Sequence, residues 1–309
     1  MDTGAYTYPR SEALQSKGAE PDLKTQLFIF WPWIEGHMRD ICRAVRMHRD
    51  DLSEVGDTDL NILITGASGG LGRALAIEYA ENGVVLALLG RDSDRLEETA
   101  RACRARGAEV ETGCGDVRDT AATLAMINAF DDAHPVDIFV ANAGVMHALR
   151  RTDLVEDPTQ VRELFEVNML AVTETVNPML TRMAARGAGG IVIVSSMSAY
   201  FGVPTFPAYA ASKAAVRTYY AALRAQARRR GVVVTVVCPS YINTSMTARM
   251  NVPRFMLTNA SRAARTIKRA VGRRRRLVAF PWYHALGLHL LGILPAATAD
   301  WIAGLVFRR

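Results

Sequence analysis

The fold of this chain is decided by the stretch Leu60-Asn61-Ile62-Leu63-Ile64-Thr65-Gly66-Ala67-Ser68-Gly69-Gly70-Leu71-Gly72. Its first five residues form an apolar run that predicts a buried strand, and a helical pattern begins at residue 70. Glycines between a strand and a helix allow a tight turn and a close approach of the backbone to a pyrophosphate, with the helix N-terminus facing the anion. The stretch therefore predicts a dinucleotide-binding turn at the start of an α/β domain.

The alternation of strand and helix patterns continues as far as residue 280. Apolar runs predict strands at 60–64, 84–89, 108–112, 136–141, 191–195, 232–237 and 277–280. Helical patterns lie between them, at 70–82, 93–106, 119–133, 158–186, 207–230 and 259–271. Apolar strands separated by amphipathic helices indicate a parallel sheet covered on both faces. We expect a three-layer, doubly wound α/β fold of the Rossmann type, which binds ligands beyond the carboxyl ends of its strands.

The composition restricts the class of protein. The 309 residues, 50% hydrophobic with a formal net charge of +6, suit one large α/β domain with extensions. The cysteines (Cys42, Cys103, Cys114, Cys238) and the six histidines lack metal-ligand spacing, so we expect no metal and buried thiols in a reducing, cytoplasmic compartment. Residues 1–25 lack the features of a secretory signal. The arginines are not interleaved with aromatic residues, so we expect no nucleic-acid binding.

Two terminal extensions divide the chain into residues 1–57, 58–280 and 281–309. The first extension contains an apolar helical stripe with arginines on its other faces; the stripe is formed by Ile34, Met38, Ile41, Val45, His48 and Leu52. Such a helix packs on the main domain or on a second subunit, or it lies on an anionic membrane surface.

The last extension offers the same two alternatives. Asp300 is the only Lys, Arg, Asp or Glu between Leu277 and Phe307, and the basic run Arg273–Arg276 precedes this apolar stretch. Either 284–306 packs on the domain or forms a dimer contact, or it docks on lipid with the arginines at the head groups. The candidate peripheral membrane contacts are therefore residues 27–52 and 273–307.

A proton-transfer site is predicted by Tyr209 and Lys213, which lie four residues apart on one face of the helix at 207–230. A phenol normally loses its proton near pH ~10, and a cation beside it lowers that pKa. The hydroxyl of Ser196, at the end of the strand at 191–195, can hydrogen-bond the oxygen that the tyrosine protonates. Taken alone, a tyrosine and a lysine at this spacing are more often a core aromatic residue beside a solvated charge.

The end of the second strand bears on the choice of cofactor. A site that takes NAD usually offers an acidic residue to the ribose hydroxyls there, but this chain has Gly90 followed by Arg91. A guanidinium without a carboxylate suits a 2′-phosphate and favours NADP(H) over NAD(H). Alternatively, Arg91 pairs with a nearby aspartate or with solvent.

Further cofactor contacts are expected at the ends of the other strands. Asp116 and Val117 can bind the adenine, and the small residues Asn142, Ala143 and Gly144 form a surface for the adenosine ribose. The segment from Pro239 to Thr244 would close over the nicotinamide end. In the glycine-rich turn we expect the contacts to be Gly66, Ser68, Gly70, Leu71 and Gly72.

These motifs together resemble the short-chain dehydrogenase/reductase family, in its single-domain branch. The resemblance covers about residues 60–245 and rests on Thr65-Gly66-x-x-x-Gly70-x-Gly72, Asn142-Ala143-Gly144, Asn168, Ser196 and Tyr209-x-x-x-Lys213. Three small residues depart from the family's pattern. Ala141 replaces a second asparagine, Ser240 replaces the glycine that usually follows the proline, and Ala199 replaces a glycine after the serine.

The resemblance implies a role for each site residue. Tyr209 would be the general acid in reduction and the base in oxidation. Lys213 would lower the pKa of Tyr209 and hydrogen-bond the nicotinamide ribose, and Ser196 would hold the substrate oxygen. Asn168 would support a water that relays protons to Lys213, and Thr244 would bind the carboxamide.

We therefore expect an NADP(H)-dependent oxidoreductase that interconverts a carbonyl and a secondary alcohol, in a homo-oligomer. An apolar set of residues suggests a bulky or lipid-like substrate; the set is Met146, His147, Tyr200, Phe201, Phe206, Met246, Met250, Phe255 and Met256. The alternative is that half of these residues are ordinary core. The alternative to an enzyme is a non-catalytic NAD(P)-binding scaffold or sensor protein. The glycine spacing disfavours a sugar-nucleotide epimerase.

Overall fold

The computed structural model describes residues 59–150, 152–248 and 257–306. Its strands are β1 (Asn61–Thr65), β2 (Val85–Gly90), β3 (Glu109–Cys114), β4 (Ile138–Ala141), β5 (Gly189–Val194), β6 (Val232–Pro239), β7 (Ile242–Asn243), β8 (Thr258–Asn259) and β9 (Leu277–Phe280). Seven strands form one parallel sheet in the order β3-β2-β1-β4-β5-β6-β9, and β7 pairs with β8 in a separate parallel ladder. Each strand predicted from the sequence overlaps one strand of the main sheet.

The helices of the described residues are α1 (Gly70–Tyr79), α2 (Ser93–Arg104), α3 (Thr120–Ala133), α4 (Pro158–Phe165), α5 (Ala171–Arg186), α6 (Pro207–Arg229), α7 (Ala260–Gly272), α8 (Trp282–Ile293) and α9 (Ala296–Val306). A π-helical segment, Glu166–Leu170, joins α4 to α5, and a 3₁₀ turn, Met197–Ala199, follows β5. The predicted helix at 158–186 is therefore interrupted in its middle by a π-helical segment.

Two hydrophobic clusters cover the two faces of the sheet. Side chains alternate between the faces along a strand, so in β1 Ile62 and Ile64 pack with α1, α2 and α7, whereas Leu63 packs with α3, α5 and α6. The sheet is thus the middle of three layers, as the sequence predicts for a doubly wound fold.

The strand order reverses between β1 and β4, which places a crevice at the carboxyl ends of these two strands. The glycine-rich turn follows β1, and Asn142 follows β4.

At the opposite end of the sheet, Asp131 connects α3 to α5. Its buried carboxylate accepts hydrogen bonds from Val136 N at 2.8 Å, from Arg186 Nη1 at 2.8 Å and from Arg182 Nε.

Among the described residues, no helix is long and apolar enough to cross a membrane. The proposed amphipathic helix within 27–52 lies outside the described residues.

The expectation that the cysteines are buried holds for two of the three that the structure describes. Cys103 and Cys238 are buried but Cys114 is exposed, because it is the last residue of the edge strand β3.

Candidate active site

The glycine-rich turn folds tightly against the end of β4. Gly66 has φ +68°, and a Cβ there would lie 2.9 Å from Ala143 Cα. A Cβ on Gly72 would lie 2.2 Å from the main-chain oxygen of Gly66. Both positions therefore require glycine, the first for its conformation and its space and the second for space alone.

Hydrogen bonds connect this turn to Asn142. The main-chain N–H groups of Asn142 and Ala143 each donate to Thr65 Oγ1 at 3.1 Å. The Asn142 side-chain amide donates to the oxygens of Thr65, at 3.0 Å, and of Gly66, at 3.1 Å. These bonds hold the turn after β1 in register with the loop after β4.

The start of α1 fits an anion. Its N-cap is Gly69, which supplies no side-chain cap, and its first turn contains no acidic residue. The N–H groups at a helix start lack intrahelical partners, and the helix dipole favours negative charge there. The glycine turn and this helix start are therefore suited to a dinucleotide's pyrophosphate.

A cavity of about 640 Å³ runs from the glycine turn to Tyr209. Nearly all of the predicted site residues line it; they are Gly66, Ser68, Gly70, Leu71, Arg91, Asp116, Val117, Asn142, Ala143, Gly144, Ser196, Tyr209, Lys213, Pro239 and Thr244. Gly72 and Asn168 do not line it. Gly72 packs behind the turn, and Asn168 is fully buried behind Gly144.

Arg91 borders the end of the cavity nearest to β2. Arg91 lies 3.8 Å from Asp116 Oδ2 through Nη1, and its side chain is 55% exposed. Asp116 also accepts from Arg118, at 3.1 Å from Nε and 2.7 Å from Nη2, and that hydrogen bond is the main reason why the pKa of Asp116 lies below its usual range. The ion pair of Arg91 is therefore with the predicted adenine contact, and not with Asp92 or Asp94.

Arg95, in the first turn of α2, also borders the cavity and was not predicted from the sequence. Its Nη2 atom would lie 2.3 Å from a Cβ built on Gly69, so the guanidinium covers the glycine turn beside Arg91. The sequence feature that could have indicated Arg95 is its place four residues after Arg91, at the start of the predicted helix 93–106.

At the other end of the cavity, α6 presents Tyr209 and Lys213. The side chain of Ser196 is close enough to the Tyr209 hydroxyl to lower the pKa of that phenol. Lys213 Nζ lies 6.0 Å from the centre of the Tyr209 ring and donates to the main-chain oxygen of Val194 at 3.0 Å. The structure thus brings together the three groups that the sequence placed on one strand end and one helix.

The pKa values of this pair differ from the expectation. Burial raises the pKa of Tyr209, and the Ser196 side chain only partly opposes that rise. Burial also lowers the pKa of Lys213 to about 8. The ammonium interacts with Val194 rather than with the phenol oxygen, so desolvation, and not the neighbouring cation, dominates the pKa of Tyr209.

The side chain of Asn168 forms hydrogen bonds within the protein. Its Oδ1 accepts from Val145 N at 3.0 Å, and its Nδ2 donates to Val145 O at 3.0 Å and to Ser212 Oγ at 3.1 Å. The residue lies in the π-helical segment, a distortion that is frequent at functional sites. Its side chain connects the loop after β4 to α6, next to Lys213.

Some of the residues that were predicted to face the substrate line the cavity, and others do not. Met146, Phe206 and Met246 line the cavity. His147 instead contacts Glu163 Oε2 at 2.8 Å, and Tyr200 stacks with Arg217 at 4.5 Å, so neither lines the cavity; nor does Phe201. Three predicted residues lie outside the described part of the chain; they are Met250, Phe255 and Met256.

The last two helices also contribute to the cavity, which the sequence did not predict. One face of α8 and one residue of α9 line the cavity; these residues are Tyr283, His284, Gly287, Leu288, Leu291 and Ile302. The apolar composition of this segment gave no indication of which face would point inward.

Comparison with known proteins agrees with this geometry. Residues 60–254 match the family model for short chain dehydrogenase. An uncharacterized oxidoreductase of Myxococcus xanthus is 34% identical over 239 residues, which are 77% of this chain and 94% of that protein. Human estradiol 17-beta-dehydrogenase 11 is 36% identical over 191 residues, which are 59% of this chain and 62% of that protein.

Solved structures of the same class superpose on this chain. A short-chain dehydrogenase from Sphingobium yanoikuyae in complex with NADPH is 25% identical, with a TM-score of 0.65 over 77% of this chain and 97% of that one. A short-chain dehydrogenase/reductase from Burkholderia phymatum in complex with NAD is 25% identical, with a TM-score of 0.68 over 77% and 94%. The chain belongs to the short-chain dehydrogenase family and is an oxidoreductase of that type.

Proposed function

We propose that this protein is an NADP(H)-dependent oxidoreductase that interconverts a carbonyl and a secondary alcohol on a bulky apolar substrate. The observation that carries the proposal is one cavity that joins a glycine-rich anion site to Ser196, Tyr209 and Lys213. When bound, the nicotinamide supplies or accepts the hydride.

Each residue of the chain has one task in this proposal. Tyr209 gives its hydroxyl proton to the substrate oxygen in reduction and takes it back in oxidation. Ser196, whose side chain influences the pKa of Tyr209, holds the same oxygen. Lys213 places a positive charge beside this oxygen and binds the ribose, and Thr244 binds the carboxamide. Asn168 positions the loop after β4 against α6; a water on the proton path to Lys213 stays a prediction.

NADP(H) is favoured over NAD(H) because of Arg91 and Arg95. Both guanidinium groups border the cavity at the end of β2, where Gly90 supplies no carboxylate. Ser68 stands beside Gly90, since its Oγ would lie 3.1 Å from a Cβ there. Two cations and a hydroxyl suit a 2′-phosphate, which Arg binds through charge-assisted hydrogen bonds.

The preference for an apolar substrate rests on the wall around Tyr209, where Lys213 is the one charged side chain among the residues that the structure describes; the wall includes Val145, Met146, Val203, Phe206, Leu288, Leu291 and Ile302. Cavities lined in this way bind apolar ligands and use a few polar groups to orient them. The name of one relative, an estradiol dehydrogenase, is consistent with such a substrate.

The test is a cofactor-oxidation screen with NADPH and NADH against apolar ketones and lipid-linked carbonyls. Replacing Tyr209 with Phe removes the proton donor but keeps the ring, so turnover should fall at least 100-fold. Turnover that survives in Tyr209→Phe would contradict the role of Tyr209 as the acid, whereas a wild-type protein that binds the cofactor but turns over no probe would support the alternative, a non-catalytic NAD(P)-binding scaffold or sensor.

We also propose that α8 and α9 contact the cytoplasmic face of a membrane, or a second copy of the chain in a homo-oligomer. Their outer face exposes large apolar side chains; these are Trp282, Leu286, Leu290, Ile293, Leu294 and Trp301. The exposed Arg273–Arg276 precede β9 and therefore lie at the end of that strand opposite to α8.

Flotation with anionic vesicles tests the membrane contact, and the molecular mass in solution tests the contact with a second copy. The double variant Trp282→Ser/Trp301→Ser should lose vesicle binding, whereas Leu154→Ser, at an apolar residue that is 93% exposed, should keep it. A wild-type protein that neither floats nor self-associates contradicts both.

A further inference from the structure

A hydrogen bond joins two polar side chains in the wall of the cavity. Ser240 Oγ lies 2.9 Å from His284 Nδ1, and both residues line the cavity. Ser240 follows β6 and His284 lies in the first turn of α8. The pair therefore connects the loop at the nicotinamide end to the helix that borders the substrate side.

The serine of this pair is one of the departures noted in the sequence. A glycine at residue 240 would have no hydroxyl for His284. The loop is also held by its backbone, because Ser240 N donates to Phe280 O at 3.0 Å. The backbone contact already connects the two segments, so the side-chain pair has a separate task in orienting the imidazole.

The part of α8 that lines the cavity carries two polar side chains, Tyr283 and His284. His284, Gly287, Leu288 and Leu291 follow helical spacing and line the cavity together. Burial lowers the pKa of His284, so its ring is neutral at neutral pH. Ser240 uses Nδ1, and among the described residues no hydrogen-bond partner is found for Nε2. A neutral imidazole held at one nitrogen offers the other to one uncharged partner.

We propose that His284, oriented by Ser240, hydrogen-bonds an uncharged oxygen of the substrate other than the one that Tyr209 protonates. The enzyme would then prefer apolar-chain carbonyl compounds that carry a second oxygen, such as an ester, over plain ketones. This inference rests on the proposed function, because it concerns the same cavity and the same reduction.

Matched probes isolate the second oxygen. Ethyl 3-oxohexanoate is compared with 4-nonanone, and ethyl 5-oxohexanoate with 2-nonanone, since methylenes replace the ester oxygens in each ketone. The ratio of kcat/KM between ester and ketone is measured in the wild type and in His284→Leu. Intrinsic differences in carbonyl reactivity cancel when the two ratios are compared.

We expect His284→Leu to reduce the ester-to-ketone ratio about fivefold to tenfold in at least one pair, mainly through KM, as for the loss of one hydrogen bond. Ser240→Gly should shift the same ratio in the same direction by less. The matched control is His289→Leu, the same change on the same helix at an exposed residue outside the cavity, and it should leave the ratio within twofold. His284→Phe keeps a ring in place if the leucine variant does not fold.

The inference is overturned if both ratios stay within twofold in His284→Leu and His284→Phe, or if His289→Leu shifts them equally. Thermal-shift binding of the same four probes gives a readout without turnover. If neither probe class is reduced but the oxoesters stabilise the wild type more than His284→Leu, the inference stands and the proposed function fails. If ketones and esters are reduced without any effect of His284, the function stands and the inference fails.

Discussion

Lys213 Nζ donates a hydrogen bond to the main-chain oxygen of Val194 at 3.0 Å, from a side chain that is only 4% exposed. The ammonium is thus held at the end of β5, beside Gly144, where a Cβ would lie 3.3 Å from it. Burial lowers its pKa to about 8 and raises that of Tyr209. The first group of the pair to lose its proton as the pH rises is therefore the lysine and not the tyrosine.

This order predicts the pH profile of carbonyl reduction. Lys213 carries its charge below about pH 8, and Tyr209 keeps its proton well above that value. We expect kcat/KM for reduction to be level near neutral pH and to fall as the pH rises through about 8. In Lys213→Arg the alkaline fall should move to higher pH, because arginine keeps its charge. A fall at the same pH in this variant would assign the limb to another group.

The buried lysine also predicts a gain of stability when it is removed. A folded-state pKa below the unfolded value of 10.5 means that charge burial destabilises the fold below about pH 8, and that the penalty is relieved as the pH rises toward 10.5. Lys213→Met should therefore raise Tm at pH 7 and abolish turnover. As a control, Lys268→Met removes an ion pair with Glu81 at 2.7 Å and should not raise Tm.

The cofactor preference is tested at the end of β2. Arg91→Ala and Arg95→Ala should each raise KM for NADPH about tenfold, as for the loss of a charge-assisted contact, and leave KM for NADH within twofold. Arg101→Ala is the matched control, because Arg101 is exposed on the same helix and does not line the cavity. Equal effects on the two cofactors would refute a 2′-phosphate site.

The packing behind the glycine turn predicts the effect of one added methyl group. Gly72→Ala would place Cβ 2.2 Å from Gly66 O, so the turn must move. We expect a loss of about 1–3 kcal/mol in the free energy of unfolding and much weaker cofactor binding. Gly272→Ala meets no atom within 4 Å and should be neutral. Isothermal titration with NADPH and chemical denaturation measure the two effects.

The carboxylate of Asp131 predicts an acid-sensitive element far from the site. Burial would raise its pKa, but hydrogen bonds from Arg186, Val136 and Arg182 outweigh this effect and leave the pKa lowered. Its contribution is therefore present above the unfolded pKa and is lost as the pH falls through the folded one. Asp131→Asn should cost about 3–5 kcal/mol at pH 7, whereas Asp132→Asn, on a side chain that is 66% exposed, should cost less than about 1 kcal/mol.

Much of the fold was predictable because its signals are local. The apolar runs predicted all seven strands of the main sheet, and the glycines between β1 and α1 predicted the turn. The π-helical segment at Asn168 was not predictable, because its hydrogen bonds to Val145 and Ser212 come from a loop and a helix that are remote in sequence. The pKa expectation for Tyr209 and Lys213 failed for a similar reason, since a spacing of four says nothing about burial.

The sequence by itself determined the class of fold, the glycine turn and the residues Ser196, Tyr209 and Lys213, since each depends on neighbours along the chain. Only the tertiary structure decided that Arg95 joins Arg91 at the cofactor end, that α8 borders the substrate end and that Ser240 meets His284. Those contacts join segments up to dozens of residues apart. They arise from the packing of helices on a twisted sheet, where a residue's neighbours are set by the strand order and not by the sequence.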